Sequence, residues 1–168
     1  MPFTPFHLGP ALLFGLMLFA FLDLPTFLIA NVLPDIEPFC VRFFDVSGYP
    51  LHGFFHSYLG ASILALLLTA IVYPLRSSLT RIMEVFRVSQ AYSFKKILFT
   101  SLVGVYFHVF LDSFLYSEMA PFYPFQGNPF FGTLSVYDSY SVVYGFCSIA
   151  FVLGIITYFF KIVRKAKA

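Results

Sequence analysis

Three apolar runs, at about 52–74, 95–117 and 140–160, decide what this chain folds into. Each is as long as the roughly 20 residues that an α-helix needs to cross a hydrocarbon core. No water reaches that depth, so such a run must close its own backbone hydrogen bonds, and a helix does so within one segment. Composition agrees: 60% of the residues are hydrophobic and 11% charged, where a soluble domain carries about a quarter charged. The expectation is all-α: a polytopic membrane helix bundle in which residues 1–168 form a single integral membrane domain.

The first third is less regular. Residues 8–22 are apolar but short, Asp23 and Pro25 interrupt, and a second short piece, 26–34, ends at Pro34. Residues 8–34 therefore make either a short transmembrane helix or a helical hairpin. A single crossing puts His7 and Asp35 on opposite sides; only a hairpin brings them together, and the hairpin is the favoured reading. No charged residue precedes the first apolar run, which argues against a cleavable signal.

Basic residues choose an orientation. Segment 76–96 carries Arg76, Arg81, Arg87, Lys95 and Lys96 against Glu84, and the C-terminus carries Lys161, Arg164, Lys165 and Lys167. The positive-inside rule puts both in the cytoplasm. Asp35, Glu37 and Asp45, with Arg42 alone among them, then face outward, as do Glu118 and Asp138. Residues 78–90 read as an amphipathic surface helix, with Leu79, Ile82, Met83 and Phe86 on one face. A net charge of +2, with no basic patch interleaved with aromatics, excludes a nucleic-acid partner. Cys40 and Cys147 are far apart and read as small apolar residues.

The polar residues beside the apolar runs carry the chemistry. All four histidines, His7, His52, His56 and His108, lie there. His52 and His56 are spaced i,i+4, as are His108 and Asp112, so on helices each pair shares a face. His56 is about five residues inside one run and Asp112 about five from the end of the next. At 1.5 Å per residue both lie roughly 7–8 Å below the same, outward boundary. "PDIE" brings Asp35 and Glu37 to that side. Imidazoles and carboxylates converging at one depth read as a metal site, suited to zinc, with manganese or iron also compatible. An ion there neutralises the buried carboxylates and activates water for hydrolysis. Two other readings stay open: metal or proton transport, and polar residues that only hold helices together. Transport is disfavoured because 62–73 and 97–103 carry no charged residue. Apart from Ser62 and Tyr73 at the ends of the first stretch, their polar residues are only Thr69, Thr100 and Ser101. The aromatic stretch 120–134 reads as an interfacial belt or a lid for a lipid substrate.

In order along the chain, "TPFHLG", "VLPDIE", "LHGFFHS", "HVFLD" and "PFYPF" resemble the motif series of the membrane-bound metal-dependent hydrolases of the YdjM inner-membrane type. Their metal-residue pattern is similar to that of zinc-dependent phospholipase C and P1 nuclease. The resemblance implies hydrolysis of a phosphoester or lipid-like substrate, such as a phospholipid of the surrounding membrane. By position it implies His7, Asp35, His56, His108 and Asp112 as metal ligands, and Glu37 as a ligand or the general base. The family motif has His five residues before the second His, and here Leu51 stands there. His52 falls on the family's Arg, so it either replaces the ligand by a one-residue shift or contacts phosphate.

Overall fold

The computed structural model describes residues 4–134 and 138–166. Every regular element among them is helical: α1 (Leu8–Met17), α2 (Leu24–Ala30), α3 (Ile36–Phe43), α4 (Tyr58–Val85), α5 (Phe94–Ser113) and α6 (Ser139–Ala166). Short 3-10 turns at Thr4–His7, Leu33–Asp35 and Phe54–His56 precede α1, α3 and α4. Four stretches are long and apolar enough to cross a membrane: Leu24–Phe43, Tyr58–Val85, Phe94–Ser113 and Ser139–Lys161. The polytopic helical expectation therefore holds, with a fourth crossing-length stretch added.

That fourth stretch corrects the reading of Pro34 as an end. Pro34 lies at the start of a 3-10 turn, where its missing N–H costs nothing, and the chain continues through it into α3. The hairpin also forms. Asp23 begins α2, its carboxylate accepting from the Thr26 N–H and, at 2.6 Å, from the Thr26 hydroxyl, with Pro25 in the first turn. Gln90 holds the preceding bend, donating to the Phe19 and Leu22 carbonyls and accepting from the Leu24 N–H. α1 and α2 thus run antiparallel, α1 against α6 and α2 against α5.

Two expectations about α4 fail. It begins at Tyr58, so His52 and His56 precede the helix instead of sharing its face. The Glu37 carboxylate takes the N–H groups of Gly53 and Phe55, and the Tyr49 hydroxyl takes that of Phe54. Ser57 then caps the helix from an extended backbone, accepting from the Gly60 N–H at 3.0 Å. At the other end no separate 78–90 helix exists. α4 runs on to Val85, and Arg87, at φ 57°, turns the chain out of it. Leu79 and Met83 pack on the core while Ile82 and Phe86 are exposed, so the supposed single face is divided.

Arg76 is the larger surprise, because it is fully buried. Its Nε and Nη2 both lie 2.9 Å from Asp23 Oδ1, and Nη1 donates to Thr80. Thr100 Oγ1 accepts from the Asp23 N–H. The charge expected to mark an aqueous loop instead ties the hairpin to α4. Arg81, Arg87, Lys95 and Lys96 still outnumber Glu84 at that end.

Candidate metal centre

The site forms at the opposite end of α5. His108 and Asp112 are one turn apart, with Nε2 and Oδ2 at 3.3 Å. Gly104, one turn earlier, sets how closely α2 approaches: a Cβ there would lie 2.4 Å from that of Ala30. At that distance the carbonyl of Asn31, left without a helical partner where α2 ends, accepts 2.8 Å from His108 Nδ1. The chain then turns through Leu33–Asp35 and places Asp35 Oδ1 3.8 Å from His108 Nε2.

His56 arrives from the turn before α4. Its Nδ1 lies 2.8 Å from Glu37 Oε2 and its Nε2 lies 3.7 Å from Asp112 Oδ2. The same Glu37 binds the Tyr49 hydroxyl and the two N–H groups already named. Both Glu37 oxygens are therefore committed, and its geometry is that of a group orienting His56. Gly60 packs this turn against α4, since a Cβ there would fall 2.1 Å from the Phe54 carbonyl oxygen.

Asp35, His56, His108 and Asp112 each turn one ligand atom inward, and the four atoms lie within 4.8 Å of one another. Ligands on opposite sides of a zinc ion at roughly 2.0–2.2 Å are at most about 4.4 Å apart, so the set fits after a contraction of a few tenths. The hydrogen-bond pattern makes the fit chemical as well as spatial. With Nδ1–H donated to Asn31 and to Glu37, each neutral ring keeps its lone pair on Nε2. Those lone pairs face carboxylate oxygens in a buried site. Both Nε2 atoms, Asp35 Oδ2 and both Asp112 oxygens are buried without a hydrogen-bond partner. Acceptors facing acceptors repel unless positive charge lies among them. A divalent cation taking one atom from each of the four residues would supply it; the alternative is protonation of the rings. At His56, burial pushes the imidazole below its ordinary pKa despite the Glu37 bond, which favours the neutral, ligating form.

His7 and His52 stand beside the quartet. His7, buried at the start of α1, places Nε2 3.1 Å from Asp112 Oδ1, and its ring lies 4.1 Å from that of His108. Its Nδ1 has no partner. The hairpin thus brings His7 and Asp35 to one site. His52 stacks on Tyr116 at 3.6 Å, meets His56 edge-on at 4.8 Å, and sets Nδ1 2.9 Å from Glu118 Oε1. It lines a cavity of about 430 Å³ whose wall includes Tyr49, Glu118, Tyr123 and Gln126. The structure adds residues that sequence reasoning passed over. Tyr116, four residues after Asp112, carries a buried hydroxyl without a partner, whose pKa is raised by burial and nearby Asp112. Asn31 contributes through its backbone, which no side-chain pattern reports, and Glu118 had read only as an outward-facing acid.

Comparison with curated proteins and with solved structures gives no match. The family model described as YdjM inner membrane protein matches residues 2–168. The resemblance seen in the five motifs therefore extends over nearly the whole chain, and the chain belongs to the YdjM inner membrane protein family.

Proposed function

We propose that this protein is a membrane-embedded, metal-dependent hydrolase acting on a phosphoester, with zinc the best-suited ion and manganese or iron also compatible with the donors. One observation carries the reading: two buried imidazoles, each fixed through Nδ1, turn unprotected Nε2 atoms toward the carboxylates of Asp35 and Asp112. A divalent ion held there supplies Lewis acidity toward a phosphoryl oxygen and acidifies a bound water. The chain's own residues do the rest. Asp35, His56, His108 and Asp112 hold the ion, and His7 steadies Asp112 or joins as a further ligand. Glu37 fixes the His56 ring. His52, backed by Glu118 and facing the polar cavity, contacts phosphate or exchanges a proton with the leaving oxygen. Tyr116, stacked on His52, keeps that ring in plane. The positive-inside rule supports a cytoplasmic side for the basic residues of 76–96 other than the buried Arg76, and for the C-terminus, with the site toward the outer side of the inner membrane.

Elemental analysis of protein purified in detergent without added metal tests the reading. About one equivalent or more of zinc, manganese or iron is expected, lost on His56→Ala and on Asp112→Ala. A metal-free protein whose two variants melt and behave like the parent would remove the proposal. Loss of stability in the variants with no metal in any sample would assign the cluster to helix packing.

A further inference from the structure

Of the four clustered side chains, His56, His108 and Asp112 are wholly buried, and only Asp35 keeps any surface, 9%. Asp35 also lines a groove of about 600 Å³ that is otherwise apolar. Its walls are Leu8 from α1, Leu28 and Ile29 from α2, and Val32, Leu33, Ile36 and Phe39 beyond it. Asp35 is the only polar group among them. The volume is that of a ligand site, yet nothing in the groove beyond Asp35 can orient a polar molecule. Its outer rim, Ile29, Ile36 and Phe39, is exposed and belongs to the crossing-length stretch Leu24–Phe43. In a bilayer that rim faces hydrocarbon. The groove therefore joins the lipid phase to Asp35, the member of the quartet that keeps some surface, while the polar cavity beside His52 is lined by other residues.

We propose that this groove is a lateral entry seating one acyl chain of a membrane phospholipid, so that its phosphate reaches the quartet at Asp35. The occupant follows from the two ends. The long apolar part accepts a hydrocarbon chain. The Asp35 end, once a cation is bound, accepts an anion and rejects an apolar helix surface, which would seal a charged centre without solvating it. A soluble phosphoester has no use for seven apolar walls. The anionic-headgroup half of this inference rests on the hydrolase reading; the seating of the chain does not.

The test uses the full-length protein in vesicles of phosphatidylethanolamine and phosphatidylglycerol, doped with phosphatidylglycerol carrying a photoactivatable diazirine in one acyl chain. Peptide mapping is expected to find Ile29, Val32 and Ile36 labelled several-fold above the outward-facing Leu66, Leu67 and Ile71 of α4. Val32→Trp and, independently, Ile36→Trp fill the groove and should bring that excess down to the α4 level. Melting temperature and metal content should be retained, so a variant that fails to fold is recognised and the other decides. Uniform labelling along all the helices, or an excess that both tryptophans leave intact, overturns the proposal. So does protection of the groove by crosslinking to a second copy. Groove labelling in a protein that proves metal-free and inactive would keep the entry and discard the hydrolase; turnover unaffected by both tryptophans would do the reverse.

Discussion

At the scale of single residues, the hydrogen bonds behind the ligands matter as much as the ligands. Glu37 touches His56 through Nδ1, on the far side of the ring from the candidate ion. Glu37→Gln keeps the shape but offers an amide where the carboxylate accepted from four donors. Outer-shell changes of this kind cost roughly 10–100-fold in metal affinity. A competition titration against a chelator should show that loss with helix content unchanged in circular dichroism. Asp23 makes a different case. Its carboxylate is fully buried against Arg76. Asp23→Asn leaves a buried guanidinium uncompensated, a loss of about 3–5 kcal/mol. Asp23→Leu combined with Arg76→Met should recover much of it, and thermal unfolding in detergent reads both. Recovery that fails would mean the pair's hydrogen bonds to the hairpin, not charge balance, do the holding.

At the scale of elements, the legibility of the site divides along a physical line. His108 and Asp112 lie on a long uninterrupted helix, where an i,i+4 spacing fixes a shared face, and that reading survives intact. His52 and His56 have the same spacing, and the structure brings their rings together, but by another route. Glu37, from α3, takes backbone N–H groups that a helix would have used, and such capture from 16 to 18 residues away leaves no local periodicity. Pro34 misled in the same way, since a proline that ends one helix can also open the turn into the next. The close approach of α2 to α5 had no counterpart in the sequence reading, because Gly104, alone within a long helix, carries no periodicity. Gly104→Ala should push α2 away and lengthen the His108–Asn31 hydrogen bond. We expect about 1–3 kcal/mol of destabilisation from overpacking, together with weakened metal binding. A normal melting curve and normal affinity would show that α2 and α5 adjust freely.

At the scale of the whole molecule, charge sorts to the two ends. Arg81, Arg87, Lys95 and Lys96 gather at one, beyond the buried Asp23–Arg76 pair. The His–carboxylate cluster and the His52 cavity occupy the other. With Arg76 removed from the count, the positive-inside argument still points the same way. Cysteines introduced at Arg81→Cys and Gln126→Cys, in a Cys40→Ser, Cys147→Ser background, should therefore react with an impermeant maleimide from opposite faces of the membrane, the second from outside. Reaction of both from one side would refute the two-ended arrangement.

The Asp23–Arg76 pair also carries a consequence for how the chain is made. The two residues leave the ribosome 53 positions apart, and each alone in lipid is costly, by roughly 2.5–3.5 kcal/mol on insertion scales. Asp23 emerges first, on a hairpin with nothing to neutralise it. The hairpin gains its partner only when α4 has been synthesised through Arg76. We predict that nascent chains arrested before that point hold the hairpin beside the insertion machinery, crosslinkable to it, and that chains arrested beyond α4 release it to the bilayer. Equal release at both lengths would refute this order. Biogenesis of the histidine–carboxylate end would thus wait on a contact made at the opposite end of the molecule.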